Sequence, residues 1–340
     1  MKRTLKILLA IIVLLAFTAC NNEKKEVEKE VINISSSILP IDNFVKKVGG
    51  DLVKTTVMIP PGASPANYQP TPKEMSMMSE SSLYFSVGVP TEATNIIPAV
   101  NQADVKIINL DKKVNEIYED RYFDATIHHE EIHHDEENHS NHSHHDGHEA
   151  KHDDYHDDHH DDHHDEINEE EHHDHSHEGR DPHIWMSPKR AIVMVDQIQK
   201  ELMNLDPKNK DIYEANAKAY KEELIKLDES IKNTLSNYKN KSFIIMHPSL
   251  GYFADDYGLN MVAIEKNGKE ATASHLAKVI EFAKSNDIHV VFYQAEFDSQ
   301  QANVIANEID GKVNEIAPLS PNYIDNMNII IKAFEEALKE

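Results

Sequence analysis

The chain has 340 residues, 39% apolar and 28% charged, which suits one large or two medium domains. Its 34 basic and 60 acidic residues give a net charge of −26, which argues against nucleic acid or anionic lipid head groups as partners. A single cysteine excludes a disulfide framework and paired-cysteine metal or redox sites; ten glycines and a mean hydropathy of −0.58 exclude collagen-like and multi-spanning membrane classes.

At the N-terminus Lys2, Arg3 and Lys6 precede an apolar run over residues 7–17. Eleven residues are too few to span a bilayer but suit the core of a signal peptide. The run ends in Phe17-Thr18-Ala19-Cys20, which resembles a lipobox in which cleavage leaves Cys20 as a lipidated N-terminus. An ordinary secretory signal with an incidental cysteine is the competing reading. Residues 1–20 are thus expected to be a lipoprotein signal, with 21–30 as a polar tether. The mature chain is expected outside the cytoplasm, held to a bacterial membrane by its lipid anchor alone.

β-rich apolar runs follow at 31–37, 52–59, 83–89 and 105–110, separated by helical stretches such as 41–48 and 72–79. Then comes an extreme segment: 19 of the 23 histidines lie between His128 and His177. Residues 128–178 hold 20 acids against one base, Lys151, and so carry −19 of the net charge. Such a segment cannot bury enough apolar surface to offset chain entropy, so it is expected to be disordered. Its composition points to an auxiliary metal-binding tract whose candidate ligands include His128, His129, His133, His134, His144, His145, His159, His160, His163, His164, His172, His173, His175 and His177. A solvated acidic linker is the plain alternative. Two HExxH matches, at 129–133 and 148–152, fall inside the tract. Dense His and Glu generate that spacing by chance, and neither match has the apolar face of a protease helix.

Beyond the tract, a helix is expected over 188–205, capped by Ser187, and a longer one over 207–238 with Asp206 as N-cap and Pro207 at N1. Tyr213, Ala217, Tyr220, Leu224, Leu227, Ile231, Leu235 and Tyr238 recur on it in steps of three and four. Strands at 242–246, 260–264, 289–293 and 312–316 alternate with helices at 250–257, 273–285, 301–309 and 323–338. The fold class expected is α/β: two lobes with mainly parallel sheets bridged by a long rigid helix, with a metal cleft between the lobes. The N-terminal lobe is drawn over 31–190 with the histidine-rich insert at 125–179, the connecting helices over 191–239 and the C-terminal lobe over 240–340.

Open α/β sheets bind ligands at the carboxyl ends of their strands. Read there, the sequence offers the turn-rich stretch from Pro60 to Pro70, His247 after 242–246, and Gln294 and Glu296 after 289–293; His183 precedes the start of a helix. Two histidines so placed suggest a metal. His275 and His289 read as structural.

These residues resemble a known family. Pro60-Pro61-Gly62-Ala63-Ser64-Pro65 with Tyr68-Gln69-Pro70-Thr71-Pro72, Asp181-Pro182-His183-Ile184-Trp185, His247 with Gly251-Tyr252-Phe253, and an acidic histidine-rich insert are similar, as an ordered set, to the zinc/manganese-binding lipoproteins of bacterial ABC metal importers. The resemblance implies a non-enzymatic, monomeric carrier of one divalent ion, Zn²⁺ or alternatively Mn²⁺, delivered to an ABC permease in the cytoplasmic membrane. It implies His183 and His247 as ligands. The family's first histidine is replaced by Ala66 and its carboxylate by Gln294. Glu296 is then the substitute carboxylate, with Gln294 and Asn67 as weaker donors. Two other classes stay open: a surface zinc store or adhesin, and a zinc hydrolase using His183, His247 and Glu296.

Overall fold

The computed structural model describes residues 31–123, 179–236, 241–265, 271–295 and 299–337. The signal and Cys20, the tether, the histidine-rich tract and Glu296 lie outside the described residues. The chain forms two compact units.

The first unit carries a sheet of β1 (Ile32–Ser36), β2 (Val53–Val57), β3 (Leu83–Ser86) and β4 (Lys106–Asn109) in the order β2-β1-β3-β4, all pairs parallel. Helices α1 (Leu39–Gly49), α2 (Pro72–Ser79), α3 (Ile97–Gln102) and α4 (Leu110–Asn115) connect or follow the strands. The start of α2 is fixed by a capping box. The Thr71 hydroxyl accepts from Glu74 N–H, and Glu74 Oε2 accepts from Thr71 N–H at 2.6 Å, with Pro72 in the first turn. The sequence reading placed neither α3, which a π-helical turn at Glu92–Ile96 precedes, nor α4; both are single short helices without a periodic apolar face.

α5 (Pro188–Leu205) begins at Ser187, whose hydroxyl accepts from Arg190 N–H. α6 (Lys210–Ser236) buries Tyr213, Ala217, Tyr220, Leu224, Leu227, Ile231 and Leu235, the stripe read from the sequence. Its 27 residues span about 40 Å. The start differs from expectation. A 3₁₀ turn, Pro207–Asn209, precedes α6, and the Asp206 carboxylate accepts from Asn209 Nδ2 (2.6 Å) and the Tyr213 hydroxyl (2.9 Å) instead of capping a backbone N–H. Between the two sheets in the chain, α6 packs on α1, α5 and the last helix, α10 (Tyr323–Ala337).

The compact units are drawn differently from the expected lobes. The first takes in Met1–Glu119, Ile184–Tyr238 and Ile316–Glu340; the second takes in Asp120–His183 and Lys239–Glu315. The C-terminal segment goes to the first unit because its apolar face needs that unit's helices. Met327, Ile330 and Phe334 are buried, and Tyr323 meets Phe44 edge-on at 5.0 Å. Fully buried Trp185 donates its indole N–H to Pro318 O at 2.9 Å, and the Tyr323 hydroxyl donates to Trp185 O at 2.7 Å.

The second unit repeats the topology of the first. β5 (Ser242–Ile245), β6 (Asn260–Ala263), β7 (Val290–Gln294) and β8 (Lys312–Ile316) lie in the order β6-β5-β7-β8, with β5 parallel to both neighbours. Helices α7 (Gly251–Tyr257), α8 (Ala273–Ser285) and α9 (Gln300–Glu308) alternate with them. Ile244, Met246, Val279, Val291 and Ile305 belong to its core. A short antiparallel bridge, Tyr122 to Arg180, joins the two sides of the histidine-rich tract at its base, and Asp181 N–H donates to Arg121 O at 2.8 Å.

Candidate metal centre

The chain leaves β5 for β6 on one side while β7 lies on the other, so the loops after β5 and β7 diverge and leave a crevice at the switch point. His247 stands there, two residues past β5. Gln294, the last residue of β7, is buried and braces the same loop. Its Nε2 donates to His247 O and to Ser249 Oγ, both at 2.6 Å, and its Oε1 accepts from His247 N–H at 3.3 Å. The β5–β6 pairing continues past both strands through Ile264 N–H to Ile245 O and Glu265 N–H to Met246 O. This sets Glu265 beside the imidazole, where Oε2 meets His247 Nδ1 at 2.5 Å.

His183 reaches the site from the base of the tract. Asp181, fully buried, turns its Oδ1 back onto His183, accepting from the backbone N–H at 2.9 Å and meeting Nδ1 at 2.7 Å. The other oxygen, Oδ2, pairs with Arg121 Nη1 at 3.2 Å, and Arg121 Nε pairs with Asp255 at 3.0 Å. The Tyr252 hydroxyl completes the frame by accepting from Arg121 N–H (3.0 Å) and donating to Asp181 O (3.1 Å). The rings of His183 and His247 then lie 5.2 Å apart at an interplanar angle of 76°.

Burial holds the His183 pKa below its usual value, although the Asp181 carboxylate pulls the other way. The ring is therefore neutral at physiological pH, the form that binds metal. Because each Nδ1 faces a carboxylate, Nε2 is the atom through which each ring can ligate. Carboxylate–imidazole–metal chains of this kind fix tautomer and orientation and raise ligand basicity. Among the described residues no group of three or more His, Cys, Asp or Glu could hold a metal ion by itself; the two imidazoles with their carboxylates are a pair of candidate donors.

The structure thus joins His183 to His247 and sets Gln294 behind the His247 backbone with both amide atoms engaged. Ala66 is exposed in a turn of the first unit. His275 and His289 face backbone carbonyls, Ala263 O at 3.5 Å and Ile309 O at 3.0 Å. The sequence reading missed Glu265, Arg121 and Tyr252 as site residues and treated Asp181 only as part of a motif. The strand-end rule that found His247 also reaches Glu265, which follows β6 by two residues; nothing local marks Arg121.

Gly251 is needed where it stands. A Cβ there would overlap Asp181 Oδ2 and lie 2.6 Å from the Arg121 guanidinium carbon. Gly251→Ala is expected to destabilise the protein by about 1–3 kcal/mol despite the helix-propensity gain of up to about 1 kcal/mol, and to weaken metal binding at the candidate site. Urea unfolding and zinc titration check the two effects.

The family described as zinc-uptake complex component A, periplasmic (ZnuA), matches residues 34–337. The chain belongs to the ZnuA family. Curated relatives include the zinc-binding lipoprotein AdcA of Streptococcus pneumoniae R6, 28% identical over 98% of this chain and 61% of AdcA, and the high-affinity zinc uptake system protein ZnuA of Bacillus subtilis 168, 26% identical over 95% of this chain and 94% of that protein. The chain therefore spans about 61% of the length of AdcA. A crystal structure of ZnuA superposes with a TM-score of 0.70 at 27% identity, covering 91% of this chain and 99% of that one. A ZnuA deletion mutant with zinc bound superposes at 0.69, also at 27% identity, covering 90% and 98%. Both lobes of the ZnuA fold are thus present, each with a four-stranded parallel sheet.

Proposed function

We propose that this protein is the extracytoplasmic substrate-binding component of an ABC importer, capturing Zn²⁺ and delivering it to a permease in the cytoplasmic membrane. The observation that carries the reading is the pair of imidazoles at the switch point of the second sheet, 5.2 Å apart, each backed at Nδ1 by a carboxylate. Imidazole donors favour zinc over manganese, which prefers oxygen. His183 and His247 ligate through Nε2, and Glu296 supplies a carboxylate oxygen. Gln294 holds the His247 loop. The chain works as a monomeric carrier without catalysis, anchored through a lipid on Cys20.

The histidine-rich tract is an auxiliary store, separable from the tight site. Its two sides meet at the Tyr122–Arg180 bridge, so a short turn can replace it. Deleting 125–178 is expected to leave the melting temperature of the metal-free protein nearly unchanged. Metal analysis should then find several weak equivalents lost and one tight equivalent kept. Loss of cooperative unfolding, or of the tight equivalent, would overturn this division of labour.

A further inference from the structure

Glu265 lies outside every motif that the sequence reading singled out, yet its Oε2 lies 2.5 Å from His247 Nδ1. Its side chain is only 8% exposed. Its position is set by backbone and not by side-chain chance, because its N–H donates to Met246 O one residue before the histidine. The two carboxylates behind the imidazoles also differ in their partners. Asp181 is shared with Arg121, which itself also pairs with Asp255, whereas among the described residues the ion pair of Glu265 is with His247.

We propose that Glu265 is the positioning residue of the zinc site: by accepting a hydrogen bond from His247 Nδ1 it fixes the tautomer that presents Nε2, and it places behind that ring a negative charge that the neutral Gln294 does not carry. The inference rests on the zinc reading above. A carboxylate on the far nitrogen of an imidazole holds the ring's orientation and makes the ligating nitrogen more basic, and removing such a partner costs about 10- to 100-fold in metal affinity. Gln294 and Glu265 divide the labour on one residue. The amide grips the His247 backbone from β7, and the carboxylate grips its ring from β6. With backbone and ring both held before metal arrives, His247 has little freedom to lose on binding.

The test uses the full-length protein and three variants, Glu265→Ala, Glu265→Gln and His183→Ala. Nitrogen-resolved NMR of histidine in the metal-free protein, near pH 8 where imidazole is neutral, reads the His247 tautomer. The wild type is expected to carry its proton on Nδ1. Glu265→Ala should give a mixture, and Glu265→Gln, whose amide oxygen still accepts, should retain the Nδ1–H form. Chelator competition should show the tightest zinc equivalent weakened about tenfold or more in Glu265→Ala, with less loss in Glu265→Gln. A fold defect alone would not produce that ordering of tautomers. Unchanged tautomer and affinity in Glu265→Ala would overturn the proposal. So would a changed ligand-field spectrum of substoichiometric Co²⁺ in Glu265→Gln, which would make Glu265 a direct ligand. Failure of the zinc reading itself is distinguishable: His183→Ala would then keep the tightest equivalent, whatever Glu265 does.

Discussion

His183→Ala is expected to remove most of the zinc-induced rise in melting temperature, and His247→Ala to remove as much while also weakening the metal-free protein. Zinc stabilises the state that binds it by RT ln(1 + [L]/Kd), about 4 kcal/mol at a thousandfold excess over Kd. For a protein of this size that corresponds to a shift of roughly 6–8 °C. The difference between the variants follows from what each truncation leaves behind. Without the His183 ring, Asp181 keeps the His183 backbone N–H and Arg121, so its carboxylate stays satisfied. Without the His247 ring, Glu265 loses the partner of a mostly buried carboxylate, a loss of about 1–3 kcal/mol. Scanning calorimetry of both variants with and without zinc checks this. A full zinc-dependent shift in either would place the tight site elsewhere.

The second large effect concerns Glu92 in the first unit. Its carboxylate is buried, and Oε2 accepts from the N–H groups of Val87 (3.2 Å), Gly88 (2.6 Å) and Val89 (2.9 Å) while Oε1 accepts from the Tyr84 hydroxyl (2.6 Å). Gly88, at φ 79°, allows the turn that aims these amides at one oxygen. The same turn anchors the Pro60–Pro70 stretch. Thr91 N–H donates to Pro65 O, and the Thr91 hydroxyl and Asn95 amide both donate to Tyr68 O. Glu92→Ala would leave three backbone donors and a hydroxyl without their acceptor, for a loss on the order of 3–5 kcal/mol. Denaturant unfolding measures it.

Glu92 also makes a pH signature. Burial pushes its pKa up to about 7 from 4.5, against the opposing hydrogen bonds. Below the unfolded value both states are protonated and the stabilisation is complete. As pH rises toward 7 the unfolded state ionises first, so about 3 kcal/mol is lost across that window. Glu92→Gln can keep all four hydrogen bonds, since the Tyr84 hydroxyl can turn to accept, and it should flatten the slope. An unchanged slope between about pH 5 and 7 would assign the titration to another group.

The sequence by itself determined the eight strands, the long helix with its buried stripe and the candidate histidine pair. These are local properties: alternation and 3.6-residue periodicity record which face of an element is buried, and strand-end position marks where an α/β sheet opens to ligand. Membership of a metal-carrier family was legible for the same reason, in motifs of contiguous residues. Only the tertiary structure decided that α10 belongs with the first unit, because an amphipathic helix does not state which apolar surface it will cover. It also decided the partners of the histidines. Asp181 sits two residues from its ring and could have been suspected, but Arg121 lies 60 residues from Asp181 and Glu265 lies 18 from His247. Gln294, a candidate donor to metal by sequence, holds the histidine backbone from 47 residues away. A hydrogen bond between side chains distant in sequence is set by strand order and register, and no local pattern of residue types records either.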